Sequence, residues 1–256
     1  MDNILTYADQ LRVQGKPAAL CIVISTSGST PRKAGAKMIV FEDKKSTGTI
    51  GGGNIEKKVI DSVPDIIREG NPVRMNFELE DDLAMHCGGK MEVYIEPLTA
   101  MPKLYIFGAG HVGREVARVG LLAGFRITVF DERKGIFEQF GVENCTFVND
   151  TYAKSIDVAV FDENTYNVIV TPKHEFDEAV LELVAKKPHA YTGMMGSRSK
   201  IAIIKKNYLD RGVFTEEEMK QIDMPIGIRF EAETPFEIAV SIMAKIIDTK
   251  NRKSKA

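Results

Sequence analysis

Cysteine is scarce in this chain. Cys21, Cys87 and Cys145 are odd in number and widely, unequally spaced. That pattern argues against a disulfide framework and against a zinc site built from C-x-x-C pairs. A reducing, cytoplasmic compartment is the expectation. No stretch approaches the ~20 apolar residues of a membrane span. The opening "MDNILTYADQ" lacks the basic region and long apolar run of a signal peptide. Charge of one sign is also missing: a formal net charge of −2 gives no reason to expect a nucleic-acid or acidic-membrane partner. Neither an internal repeat nor a low-complexity tract is found.

What is present fits a soluble globular protein, with 44% apolar and 27% charged residues. Two prolines flank a short uncharged piece in "EPLTAMPKL", between two strand-like runs. A boundary there divides the chain into domains 1–100 and 101–256. In the first, "NILTYADQLRVQG" has helical spacing and "AALCIVIST" reads as a buried strand. "KMIVFE" and "STGTI" read as strands joined by a turn, and "VRMNFELE" and "KMEVYIEPL" alternate as half-buried strands do. "NIEKKVIDSVPDIIREG" is helical, with Pro64 expected to kink or split it. This half is a small α+β domain.

Past the boundary the period changes. The runs "LYIFG", "RITVFD", "YNVIVT" and "HAYTGMM" alternate with helical segments 111–123, 175–187 and 198–211. Such alternation implies right-handed crossovers and a parallel sheet with helices on both faces. The fold class is therefore α/β: a Rossmann-like C-terminal domain preceded by a smaller α+β domain.

The chemistry-bearing motifs follow that layout. Gly108-x-Gly110-x-x-Gly113 ends a strand and opens a helix, and Asp131 ends the next strand. One glycine permits the tight turn, one lets N–H groups approach an anion, and one lets helix and strand pack closely. The helix N-terminus favours a phosphate, and Asp131 is placed to accept from a ribose hydroxyl. Two further strand ends run into Thr171-Pro172-Lys173-His174 and Gly196-Ser197-Arg198-Ser199-Lys200. Ser197 suits an N-cap, and Arg198 adds charge at a second anion-friendly helix start. His111 and His174 are candidates to line the same crevice.

The first domain adds Arg32 in the loop "TSGSTPRKAGAKM", a guanidinium fork suited to a phosphate. Gly51, Gly52 and Gly53 form an anion-friendly strip before a helix. Cys21 and Cys145 read as small buried hydrophobes. Cys87, in "MHCGGK", sits in a polar, glycine-flanked loop with His86 and Lys90 near in sequence. A thiolate there would serve as a soft-metal ligand or sulfur nucleophile.

Taken in order, "STSGSTPRKAGAKM", "GTIGGGNIE", "CGGKMEVYIEPL", "IFGAGHVG" with "VFDER", "YTGMMGSRSK" and "PIGIRFEAETPFEIAVSIMAKII" resemble the XdhC/CoxI family over nearly the whole chain. The resemblance implies an accessory protein that binds molybdenum cofactor (molybdopterin) as cargo. It implies support of the cofactor's sulfuration with a cysteine desulfurase and delivery to a molybdenum hydroxylase such as xanthine dehydrogenase. On that reading Gly108, Gly110, His111, Gly113, Asp131, Gly196, Ser197, Arg198, Arg32 and Gly51–Gly53 would contact the cofactor. Cys87 would handle sulfur or the cofactor's molybdenum. The chain would have no turnover of its own, and a shared crevice is compatible with a homodimer. This chain departs from the family pattern in having Asn54 and His86 at positions where some members carry cysteine, and in having Arg229 and Glu231 near the end. Two other readings stand beside it. One is an NAD-dependent oxidoreductase, in which Asp131 would favour NAD over NADP and the nearby Arg133 would count against that preference. The other is a scaffold that binds no small molecule.

Overall fold

The computed structural model describes residues 4–78 and 89–253. The chain forms two compact units, Met1–Met101 and Pro102–Ala256.

The first unit begins with α1 (Ile4–Gln14), then β1 (Ala18–Ser27), β2 (Lys37–Phe41) and β3 (Ser46–Gly48). It continues through α2 (Gly53–Glu69), β4 (Val73–Glu78) and β5 (Lys90–Pro97). The strands make one antiparallel sheet in the order β3-β2-β1-β5-β4. The central strand β1 is buried on both faces. Ala19, Cys21 and Val23 pack toward α2 with Val59, Val63 and Ile66. Ala18 and Leu20 pack toward α1 with Ala8 and Leu11. Burial lifts the Cys21 thiol to a pKa of about 12, which keeps it an inert hydrophobe.

Of the two outcomes expected at Pro64, a split does not occur; the helix runs through it from Gly53 to Glu69. The apolar stripe Ile55, Val59, Val63 and Ile66 is buried against the sheet on both sides of the proline. That burial holds the helix together across the one ladder bond the ring removes.

The second unit runs β6 (Lys103–Phe107), α3 (His111–Leu122), β7 (Arg126–Phe130), β8 (Cys145–Val148), α4 (Tyr152–Val158) and β9 (Thr165–Ile169). After these come α5 (His174–Val184), β10 (Tyr191–Met194), α6 (Arg198–Asp210), α7 (Glu216–Gln221) and α8 (Pro235–Lys253). The five strands are parallel, in the order β10-β9-β6-β7-β8. Strands fed from β6 go one way and strands from β9 the other, so the order reverses between β6 and β9.

Helices cover both faces of this sheet, as the apolar runs require. Leu104 and Ile106 face α3 and α8 with Val116 and Ile242. Tyr105 and Phe107 face the opposite layer, with Ile156, Val180 and Ile204. Four elements were not foreseen: β8, α4, α7 and α8. Helix α8 carries a readable start. Thr234 precedes Pro235, and Glu237 Oε2 accepts the Glu233 and Thr234 amides at 2.7 and 2.9 Å. Proline at the first helical position with a Thr-x-x-Glu box is a helix-opening pattern. Among the described residues no helix is long and apolar enough to cross a membrane.

Candidate functional site

In an open parallel sheet the ligand crevice lies outside the carboxyl ends of the strands, where the order reverses. Here that point is the pair of loops after β6 and β9. Gly108 sits at φ +118°, and a Cβ on it would overlap the Val170 carbonyl. A Cβ on Gly113 would overlap the Gly108 carbonyl, so α3 can pack this close to the turn only with glycine there. Gly110 differs: it caps α3 with no side-chain hydrogen bond, and a Cβ would meet nothing within 4 Å. Two glycines thus build the turn, and the third leaves the α3 N-terminus open toward an anion.

Asp131 is fully enclosed, at 0% exposure. Its Oδ2 accepts the Ala109 amide at 2.8 Å and Arg133 Nη2 at 2.7 Å. Its Oδ1 accepts the Arg133 amide at 3.0 Å and Nε at 2.9 Å. Burial alone would raise this carboxyl, but the Arg133 fork and the two amides outweigh it and hold the pKa below the usual range. Four donors fill the lone-pair directions of a carboxylate, so a ribose hydroxyl at Asp131 would have to compete with them. The loop itself is pinned by Asn149, whose Nδ2 donates to the carbonyls of Asp131 (2.6 Å) and Arg133 (3.0 Å).

Two buried groups border these strand ends. The Tyr152 hydroxyl, in a residue 5% exposed, has no hydrogen-bond partner among the described residues. Such a group costs about 1–3 kcal/mol. Burial, then Asp131, push its pKa far above the phenol range. Asp177, 3% exposed, accepts the Thr171 amide at 3.0 Å and Oγ1 at 2.6 Å, which fixes the loop after β9. Burial raises its pKa and wins over both Thr171 bonds.

At the end of β10, Ser197 caps α6 by accepting the Lys200 amide at 3.4 Å. Arg198 is exposed and makes no ion pair among the described residues. A Cβ on Gly196 would press on Ile201. Strand β9 stands between β10 and β6, so the strands leading to this helix start and to the glycine turn are about 10 Å apart. His111 opens α3 and lines a surface groove with Arg114, Arg118 and Phe236. His174 opens α5.

In the first unit, Arg32 and the glycine strip come together. A Cβ on Gly51, at φ +134°, would lie 2.7 Å from Pro31 and 3.6 Å from the Arg32 side chain. The strip already holds an anion of its own: Glu56 Oε2 accepts Thr49 Oγ1 (2.6 Å), the Gly52 amide (2.9 Å) and the Ile50 amide (3.1 Å). These bonds lower the Glu56 pKa despite partial burial, which acts to raise it. Gly53 opens α2 and a Cβ there would meet nothing. Beside the strip lies a groove of about 820 Å³, lined by Tyr7, Gln10, Arg32, Lys37 and Thr47 among others. That is large enough for a drug-sized ligand.

Residues 104–246 match the family model described as the XdhC Rossmann domain, and residues 11–78 match that of the XdhC and CoxI family. The chain belongs to the XdhC and CoxI family.

Among relatives, the uncharacterised protein YqeB of Escherichia coli (strain K12) is 34% identical over 97% of this chain. The chain spans only 46% of that relative's length. The molybdenum cofactor insertion chaperone PaoD of the same organism is 21% identical, covering 97% of this chain and 88% of PaoD. A probable xanthine dehydrogenase subunit of Bacillus subtilis (strain 168) is 20% identical over 98% of this chain and 99% of its own. A crystal structure of a xanthine dehydrogenase from Bacillus halodurans shares the fold, with a TM-score of 0.55 at 19% identity. It covers 97% of this chain and 96% of the other.

Of the family motifs named above, "MHCGGK" is described only at Gly89 and Lys90; Cys87 and His86 lie outside the described residues. The other motif residues sit at the XdhC/CoxI strand ends and loops given above. Tyr152, Asp177 and Glu56 were not foreseen as parts of these sites, and Arg133 only as a cation near Asp131 that bears on NAD against NADP. Arg133 and Glu56 had a sequence signal: an opposite charge two residues after Asp131, and a carboxylate just inside the helix that follows three glycines. Tyr152 and Asp177 had none, because only the parallel sheet brings α4 and α5 to the same end as β6 and β7.

Proposed function

We propose that this chain binds molybdenum cofactor as cargo and delivers it to a xanthine dehydrogenase-like molybdenum hydroxylase, with no turnover of its own. The observation that carries this reading is the uncapped α3 N-terminus at Gly110 within an XdhC-type Rossmann unit. Such a helix start suits the phosphate of a pterin cofactor. The similarity to PaoD supports the cargo, and that to the Bacillus subtilis protein supports the class of recipient. Gly108, Gly110, Gly113, His111 and the Asp131 loop would form one binding surface. Gly196, Ser197 and Arg198 would supply a further anion contact. In the first unit, Arg32 with Gly51–Gly53 would form an anion site of its own. Cys87 would approach the molybdenum or carry sulfur received from a cysteine desulfurase. Residence in the cytoplasm and a homodimeric state belong to the same proposal.

Purification from cells that make molybdenum cofactor tests it, with native mass spectrometry and metal analysis as readouts. A bound pterin mass with molybdenum is expected, reduced in Gly110→Ala. Protein free of pterin from such cells would sink the cargo reading. Cys87→Ala that still activates the partner hydroxylase fully would remove Cys87 from the mechanism. An NAD-dependent oxidoreductase would use the same glycine turn, and saturable NADH fluorescence in pterin-free protein would favour it.

A further inference from the structure

At the end of the second strand of a Rossmann unit, the residue facing the crevice decides what the ligand carries there. A free carboxylate accepts from a ribose hydroxyl, whereas an arginine accommodates a phosphate. Here the carboxylate is not free. Asp131 is closed off by Ala109 and Arg133, and the group left facing outward is the Arg133 guanidinium, whose side chain is 40% exposed. Nε and Nη2 are tied to Asp131 at 2.9 and 2.7 Å, and Nη1 has no partner among the described residues. The fork is therefore held in place before any ligand arrives, and a preorganised guanidinium is well matched to a phosphate.

A second, independent observation points to the same place. The Tyr152 hydroxyl is buried without a partner. Its ring packs against Phe107, the last residue of β6, with centroids 6.4 Å apart, and against Phe176 of α5 at 5.9 Å. The ring thus lies against the end of β6, the strand paired with β7, whose end carries Asp131 and Arg133. A buried, unpartnered hydroxyl at the same sheet end as an arginine fork is suited to donate to a phosphate oxygen.

We propose that the β7 end of the crevice is a phosphomonoester subsite, with Arg133 as its cation and Tyr152 as a hydroxyl donor. The proposal rests on reading the glycine turn as a ligand site and adds what that ligand must carry. The shared chemistry has two sources, a phosphorylated ribose and the terminal phosphate of a pterin cofactor.

Calorimetric titration of the full chain separates them. One arm compares 2′,5′-ADP with 5′-AMP. The other compares the cofactor's phosphorylated pterin with the same pterin after phosphatase treatment. A preference of about tenfold for the phosphorylated form is expected in one arm, and the arm that responds identifies the source. Arg133→Gln should abolish the preference, and Tyr152→Phe should reduce it. Arg133→Gln also releases Asp131, so if that variant does not fold, the wild-type ratio and Tyr152→Phe decide. Equal affinity in both arms, absence of binding in both, or a preference unchanged in a folded Arg133→Gln overturns the subsite. Molybdenum in the purified protein is measured separately. Metal-loaded protein with no phosphate preference removes the subsite and leaves the cargo reading intact. Metal-free protein with a preference confined to the adenylate arm does the reverse.

Discussion

Asp131 and Ala109 are joined by a 2.8 Å hydrogen bond that runs from the end of β7 into the middle of the glycine turn. The carboxylate that sequence reasoning assigned to a ligand is thereby committed to the turn that would receive one. Asp131→Asn keeps the shape but removes the charge opposite Arg133. A loss of about 2–3 kcal/mol is expected in urea denaturation, below the full value for a buried pair because Arg133 is partly in solvent. The pH dependence has a definite sign. The folded pKa is lowered, so the contribution is present above the unfolded carboxyl pKa of about 4 and is lost as pH falls through the folded value. The variant should lose that acid-side slope.

Gly110 and Gly113 should separate binding from folding. Gly113→Ala forces a Cβ into the Gly108 carbonyl and should cost about 1–3 kcal/mol. Gly110→Ala enters open space at an ordinary backbone conformation, and should change stability by less than about 1 kcal/mol. Its effect should fall on ligand affinity. Equal thermal destabilisation by the two would contradict this division.

Glu56→Gln addresses the first unit. One carboxylate oxygen gathers Thr49, Ile50 and Gly52, and loss of its charge should cost about 1–2 kcal/mol at neutral pH. The pKa is lowered as in Asp131, so the wild-type advantage should fade as pH drops below about 4. If the strip contacts the proposed cargo, retention should weaken along with stability. A variant that melts lower but keeps full cargo would separate the strip from binding.

Tyr191 and Asp223 fix the segment after α7. The Tyr191 hydroxyl donates to Asp223 Oδ2 at 2.6 Å, and the Gly227 amide donates to the same oxygen at 2.8 Å. Burial and the Asp223 charge drive the phenol pKa far upward. Tyr191→Phe should cost about 1–3 kcal/mol in chemical denaturation, since it leaves the carboxylate short of a donor. Wild-type stability in Tyr191→Phe would mean that another donor replaces the phenol.

Much of the second unit was legible in the sequence. The β6 run is continuously apolar because both faces of a parallel strand are covered, and the glycine spacing marks the turn that follows it. Helix α8 was missed although Thr234, Pro235 and Glu237 announce it. At Pro64 the helix is unbroken because the buried stripe around it outweighs local propensity.

The sequence by itself determined the alternation of strands and helices and the three-glycine turn, because period and glycine spacing are local properties of the chain. Tertiary structure alone decided how the charges are used. Asp131 turns inward to Ala109 and Arg133 faces out, Glu56 fills the strip that glycines prepare, and Tyr152 is buried beside the Asp131 loop. Those outcomes depend on which hydrogen-bond donors the folded chain brings within reach of each carboxylate. That is fixed by strand order and packing, not by neighbours in sequence.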